Sequence, residues 1–240
     1  MPLIEKGRER FDAPKEITLS SETEGAKIYY TTDGTEPTEK SALYTKPFSI
    51  SASCVVSARC FKEGCTSSFV ATQRFGFDYI VSATFAKKAN TPYNYHQETI
   101  LFDGETGTPA DLQSGWLGFS GSDLDVTFLL AKEISLQDVE LHFAHVPESW
   151  AFAPVEVLVS TSADGATFSQ PARAEIRYNP ASEEMNSAQV VTIKVMVAQP
   201  NVRYVKVVAK GIGKIPAWHR AKGLKPWLMI DEVELNEEIK

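Results

Sequence analysis

Runs in which apolar and polar residues alternate recur along this chain, and almost no stretch repeats them at the three-and-four spacing of a helix. The alternating runs are short. Clusters of Gly, Pro, Asn and Asp separate them, as in sandwiches and barrels. In the first third the pattern predicts strands over residues 16–19, 27–32, 54–61 and 68–75. Asp33-Gly34 follows the second run and predicts a tight turn. The pattern restarts after Asp78, with strands predicted over residues 79–82, 124–130, 139–144, 155–160, 190–197, 203–209 and 228–235. The expectation is an all-β chain of two β-sandwich domains, residues 1–77 and 78–240, without internal repeats.

The 240 residues suit one or two domains with a sizeable core. Apolar residues make up 43% and charged residues 23%, as in ordinary globular proteins. A net charge of -7 speaks against a general nucleic-acid binder. No apolar run approaches the length of a membrane span. The opening MPLIEKGRERF has charges but no apolar run behind them, so it does not read as a secretory signal. Either the protein is cytosolic, or Met1 begins a piece of a longer chain, and we expect the second.

Cys54, Cys60 and Cys65 are an odd set for a disulfide framework. In CVVSARC, Cys54, Val56, Ala58 and Cys60 share one face of a predicted strand, so two of the thiols read as small buried hydrophobes. A catalytic thiol would need a nearby histidine, and none occurs in the first 90 residues.

The first domain carries Tyr30-Thr31-Thr32-Asp33-Gly34-Thr35-Glu36-Pro37, then Ser41 to Tyr44, then Pro47. This run resembles the small sandwich that follows the catalytic domain in many bacterial chitobiases and β-hexosaminidases, over residues 14–75. The resemblance implies an immunoglobulin/fibronectin-like spacer with no chemistry of its own. In the second domain the segments LFDGETGT, GWLGFSGSDLDVTF, VEVLVSTSADGATF, VRYVKVVAK and PAWHRAKGLKPWLMIDEVEL together resemble the factor V/VIII type C, or discoidin-like, jelly roll. Carbohydrate-binding module family 32 shares that fold. The Trp-His loop followed by Trp-x-x-x-Asp-Glu is most similar to the version at the C-terminus of family 20 glycoside hydrolases of gut Bacteroidetes-type bacteria.

LFDGETGTPADLQSGW is neither an EF-hand nor a P-loop. Counting from Asp103, Thr108 and Ser114 stand where an EF-hand has Gly and Glu, and Gly-Lys-Ser/Thr is absent. The discoidin-like resemblance implies a structural calcium wrapped by Asp-Gly-x-x-x-Thr. Its ligands would be the carboxylates of Asp103 and Glu232, the hydroxyl or carbonyl of Thr108, and the carbonyls of Leu101 and Glu105. The other reading of the same residues is an Asp-Gly turn with no ion.

Asp231-Glu232 also looks like the adjacent pair of family 20 catalysis, but it falls on the final strand of a sandwich, where no barrel surrounds it. GFSGS lacks the second glycine of a nucleophile elbow. His142 and His145 fall on opposite strand faces and do not form a zinc pair. Trp116 is expected in the core and Trp227 half-buried. Trp150, Phe152, Trp218, His219 and Arg220 flank loops, and either pack there or hold a sugar, the rings by stacking and the donors by hydrogen bonds. Residues 201–225 carry seven Lys and Arg and no acid, either a solvated face or a surface favouring an acidic glycan.

The expectation is a non-catalytic C-terminal fragment of a secreted glycoside hydrolase, of the β-N-acetylhexosaminidase/chitobiase type. It would bind a glycan, carry a structural calcium, position the missing catalytic domain of the same chain, and act in the periplasm or at the cell surface. It would bind no nucleic acid and span no membrane. The alternatives are purely structural accessory domains, or the accessory region of an α-L-fucosidase.

Overall fold

The computed structural model describes residues 1–4, 10, 11, 13–94 and 99–238. The chain divides into two compact units, Met1–Asp78 with Glu237–Lys240, and Tyr79–Asn236. Strands dominate both, and the helical elements among the described residues are three short 3-10 turns.

The first unit has a five-stranded sheet in the order Arg10–Phe11, Ala71–Phe77, Cys54–Phe61, Lys27–Thr31, Ala42–Leu43. Two strand pairs, Leu3–Ile4 with Leu19–Ser20 and Lys15–Ile17 with Phe48–Ile50, complete it. Ile17, Leu19 and Ile50 from these pairs pack with Ile28, Val56, Ala58, Cys60 and Phe75 of the sheet into one core. Cys54 and Cys60 are buried there, and burial pushes the Cys54 thiol up from its ordinary value. Cys65 is exposed.

The Asp33-Gly34 turn is built as its residues require. Gly34 has a φ of 79°, a region that side chains disfavour. The Thr35 amide and hydroxyl donate to Asp33 Oδ1 at 3.0 and 2.6 Å, and hold that carboxyl below its usual range. Gly34 N–H then donates to Val55 O at 3.0 Å, tying the turn to the neighbouring strand. The last strand of the unit begins later than the alternation predicts. The Ser68 amide and hydroxyl are engaged with Cys60 before the ladder starts at Ala71.

In the second unit the sheet order is Leu117–Ser120, Trp227–Glu237, Leu124–His145, Gln189–Lys210, Glu156–Ser162, Ala172–Arg173, and Ile80–Phe85 pairs with Leu124–His145. Four predicted strands merge into two here. Residues 124–130 and 139–144 lie on one strand of 22 residues, and 190–197 and 203–209 on another of 22. Straight strands of that length would each run about 70 Å. Instead the register slips at Leu129/Ile134, Ile134/Leu136 and Leu136/Asp138. Opposite the slips, Ala198 and Asn201 take φ values of 50° and 54° on either side of Gln199-Pro200. Breaks in alternation that read as loops are therefore bulges, which bend a strand without ending its ladder. Leu124, Val126, Phe128, Leu141 and Phe143 line the core against Val205, Val207, Leu228 and Ile230, all essentially inaccessible to solvent.

Candidate functional site

Three connections of the second unit meet around a groove of about 420 Å³. The first follows His145. Val146 and Ala151 exchange backbone hydrogen bonds at 2.9 and 3.2 Å across a 3-10 turn, Pro147–Ser149. Trp150 closes this turn in the left-handed region at φ 66°, its amide donating to Pro147 O. The second is the 3-10 turn Glu183–Met185, capped by Ser182, whose hydroxyl accepts from the Glu184 amide at 3.3 Å. The third is the long connection before Trp227, pinned by Ile215 N–H to Leu224 O and Gly223 N–H to Ile215 O.

The third connection delivers Trp218, His219 and Arg220 to the groove, and the other two supply Glu148, Glu183 and Asn186. Trp218 Nε1–H donates to Ala181 O at 2.8 Å, which fixes the indole plane. His219 is 8% exposed. Its Nδ1 accepts the Ala221 amide at 3.0 Å, which assigns the ring proton to Nε2 when the ring is neutral. Arg220 is exposed and reaches Glu148 O at 3.5 Å.

Two of the five residues expected at a sugar site are placed differently. Phe152 is 1% exposed and presents no surface to a ligand. It lies beneath the groove, its ring centroid 6.5 Å from Trp218, 6.3 Å from His219 and 5.6 Å from His145. The phenyl has no polar atom, so packing under two amphipathic rings is its favourable place. Trp150 is 36% exposed and lies outside the groove lining, because the left-handed turn directs the chain there into its bond with Trp227. Glu148, Glu183 and Asn186 are not among the residues the sequence singles out. They are isolated loop residues, and only the Ser182 cap ahead of two glutamates marks their turn.

A second constellation lies at the acidic loop. Asp103 follows the 3-10 turn Ile100–Phe102, and its Oδ1 accepts the Glu105 amide at 2.8 Å. The last strand grips this loop with two adjacent carboxylates. Gly104 N–H donates to Glu232 Oε2 at 3.1 Å, and Gly107 N–H donates to Asp231 Oδ2 at 2.5 Å. Both acids are buried, Asp231 at 0% and Glu232 at 1% exposure. Burial pushes Asp231 up to about 6, against the opposing Gly107 hydrogen bond and the His142 charge. Asp231 Oδ1 has no hydrogen-bond partner among the described residues.

Thr108 is exposed, and both of its oxygens are engaged on its own loop. Its carbonyl accepts from Trp116 Nε1 at 3.1 Å and its hydroxyl from the Ala110 amide at 3.3 Å. Among the described residues no three His, Cys, Asp or Glu side chains group as a metal site, so a cation here would need backbone oxygens. The donor set still fits a hard cation in kind. Two buried carboxylates stand at the loop, and Asp231 Oδ1 is left over. In the sequence Asp231 reads only as a rejected catalytic acid; its place is at this loop.

Part of the basic run is neutralised. Lys206 pairs with Asp125 at 3.3 Å, and Lys210 pairs with Glu156 at 2.5 Å, where Arg173 joins it. The Lys210 hydrogen bond is the main cause that holds the Glu156 carboxyl low.

Among curated proteins, none matches this chain. Similar solved structures include a family 32 carbohydrate-binding module from a family 31 glycoside hydrolase of Clostridium perfringens, at 13% identity and a TM-score of 0.39, covering 67% of this chain and 90% of that one. The C-terminal domain of a chitobiase from Bacteroides fragilis is 14% identical with a TM-score of 0.36, covering 67% and 93%. A SusE-like protein is 15% identical with a TM-score of 0.34, covering 98% and 95%. Over residues 6–72, the chain matches the family model of the chitobiase/beta-hexosaminidase C-terminal domain.

Proposed function

We propose that Tyr79–Asn236 is a non-catalytic glycan-binding module, and that Met1–Asp78 is a spacer of the chitobiase C-terminal type. Both would serve a secreted glycoside hydrolase of the β-N-acetylhexosaminidase class. The observation that carries the sugar reading is the groove, which brings an indole, an imidazole, a guanidinium, an amide and two carboxylates together. The indole offers a face for sugar C–H groups. His219 Nε2–H and Arg220 donate to hydroxyls, and Glu148 and Glu183 accept from them.

The two glutamates outnumber the one arginine, which favours a neutral sugar over an anionic one. So shallow a site should bind with a Kd of about 0.1–1 mM, or about 4–5.5 kcal/mol. Asp103, Glu232, Thr108 and the carbonyls of Leu101 and Glu105 would hold a calcium that stiffens the acidic loop, with Asp231 beside it.

Calorimetric titration with N-acetylglucosamine, galactose and sialyl-lactose tests the reading. Wild type should bind a neutral sugar and Trp218→Ala should not. Binding unchanged in Trp218→Ala would move the site elsewhere. One observation favours a purely structural role instead: the only side-chain hydrogen-bond donor of Trp218 is committed to Ala181. Silence toward all three sugars would support that role.

A further inference from the structure

His145 lies at the end of the strand Leu124–His145 and is fully buried. Its two ring nitrogens have different partners. Nδ1 accepts the Ala153 amide at 3.2 Å. A backbone N–H can only donate, so Nδ1 must be bare. Nε2 lies 2.7 Å from Met185 O, a carbonyl that can only accept, so Nε2 carries the proton. Both neighbours are satisfied by one state of the ring, the neutral Nε2–H tautomer.

The same ring touches two parts of the groove. Met185 belongs to the turn that presents Glu183, and Asn186 follows it. The turn's other bonds are local or lie ahead of Met185: the Met185 and Asn186 amides donate to Ser182 O and Glu183 O at 3.2 Å, the Glu184 amide to the Ser182 hydroxyl, and Trp218 Nε1–H to Ala181 O. On its other side the imidazole meets Phe152 edge to face at 5.6 Å, and Phe152 supports Trp218 and His219. His145 touches no sugar. It sits under the wall and the floor that do.

Resting on the glycan reading of the groove, the geometry points to His145 as a positioning residue: its neutral Nε2–H ring holds the Glu183–Asn186 wall in place, and sugar affinity depends on that ring staying neutral. A second proton has one place to go, Nδ1, where it would face the Ala153 N–H, donor against donor. The bond would break and leave a buried amide without an acceptor, a costly state. The segment 152–153 and the Met185 turn would both shift.

The titratable groups on the surrounding elements include Glu148 in the 147–149 turn, Glu183 and Glu184 on the Met185 turn, Tyr178, whose hydroxyl donates to Pro154 O at 3.3 Å, Lys194, the first charge on the paired strand Gln189–Lys210, and His219 and Arg220 across Phe152. His142 lies on the same strand, and Asp231 on the neighbouring one. His145 itself bonds only neutral backbone groups. Burial lowers its proton affinity and the Met185 carbonyl partly opposes that, so the neutral form is the resting one near neutrality.

The test uses the intact chain and needs two readouts. In the first, without sugar, nitrogen NMR follows the imidazole of His145 and the amides of Ala153 and Asn186 from about pH 7.5 down through the midpoint of the ring. The expected result is a bare Nδ1 and protonated Nε2 at the upper limit, with both amides moving at the midpoint of the ring. His145→Gln, which keeps a neutral donor for Met185 and takes no proton, should abolish that movement. In the second, N-acetylglucosamine is titrated across the same range. Wild-type Kd should rise about fivefold, the worth of one ordinary hydrogen bond, and that of His145→Gln less than about twofold.

The opposite tautomer overturns the proposal. So does a ring that titrates while Asn186 stays still, or an Asn186 shift that survives in His145→Gln. Should N-acetylglucosamine, galactose and sialyl-lactose all disturb nothing at any pH, the glycan reading fails alone, and the amide coupling still decides the role of His145.

Discussion

Replacing Phe152 by Ala separates a core residue from a ligand contact. The ring is 1% exposed and meets His145, Trp218 and His219 edge to face. Returning a phenyl from core to water costs about 1.5–3 kcal/mol. Lost aromatic contacts and the cavity left behind bring the usual total to about 3–5 kcal/mol. A domain of this size has about 5–15 kcal/mol in all, so the variant should fold but weakly. The assay is urea unfolding followed by tryptophan fluorescence. All four tryptophans, Trp116, Trp150, Trp218 and Trp227, lie in the second unit, so the signal reports that unit alone. At about 2 kcal/mol per molar of urea, the midpoint should fall by about 2 M. Trp150→Ala, at a residue 36% exposed, should move it far less. A midpoint for Phe152→Ala within about 0.3 M of wild type would refute this assignment of the ring to the core.

Three further outcomes follow from the same structure. The lowered proton affinity of His145 contributes stability that is fully present above its ordinary value of 6.5 and is lost as pH falls toward the folded value. Urea midpoints of the second unit should therefore drop on acidification more in wild type than in His145→Gln; parallel curves would contradict this. If the acidic loop holds calcium at about a hundredfold excess over its Kd, the ion adds about 2.7 kcal/mol. A chelator should then lower Tm by about 5–10 °C in wild type and leave Asp103→Ala unmoved, whereas no shift in metal-loaded wild type would oppose the site. Gly34→Ala forces a side chain to φ 79° and sets its Cβ 3.3 Å from Val55, so the first unit should lose about 1–2 kcal/mol by amide exchange. An unchanged exchange rate would mean the turn adapts.

Alternation alone makes the sheets legible, because a half-buried strand must place every second residue in the core. It locates Cys54–Phe61 and Lys27–Thr31 to within a residue. It fails where the pattern breaks without the strand ending. Ala131, Lys132 and Glu133 are exposed, yet the ladder continues past them through bulges. The site is legible only in part. Trp218, His219 and Arg220 are consecutive on one long loop, and loop length itself points to them. Glu148, Glu183 and Asn186 reach the groove only through the fold, and nothing in their local sequence announces it. Phe152 looks like Trp218 in sequence, an aromatic beside a loop, and burial alone distinguishes them. His145 reads in sequence as half of a failed zinc pair, because its partners are two backbone groups that carry no sequence signal.

On the glycan reading, the second unit would hold a sugar between Trp218, His219, Arg220 and the two glutamates. An amide chemical-shift map during titration with N-acetylglucosamine and galactose tests it most directly. Saturable shifts are expected at Glu148, Glu183, Asn186 and residues 218–220, with a Kd of about 0.1–1 mM, and none around the first-unit groove of Lys27, Glu39 and Lys62. Saturable shifts confined to other surfaces, or none with any sugar, would contradict it.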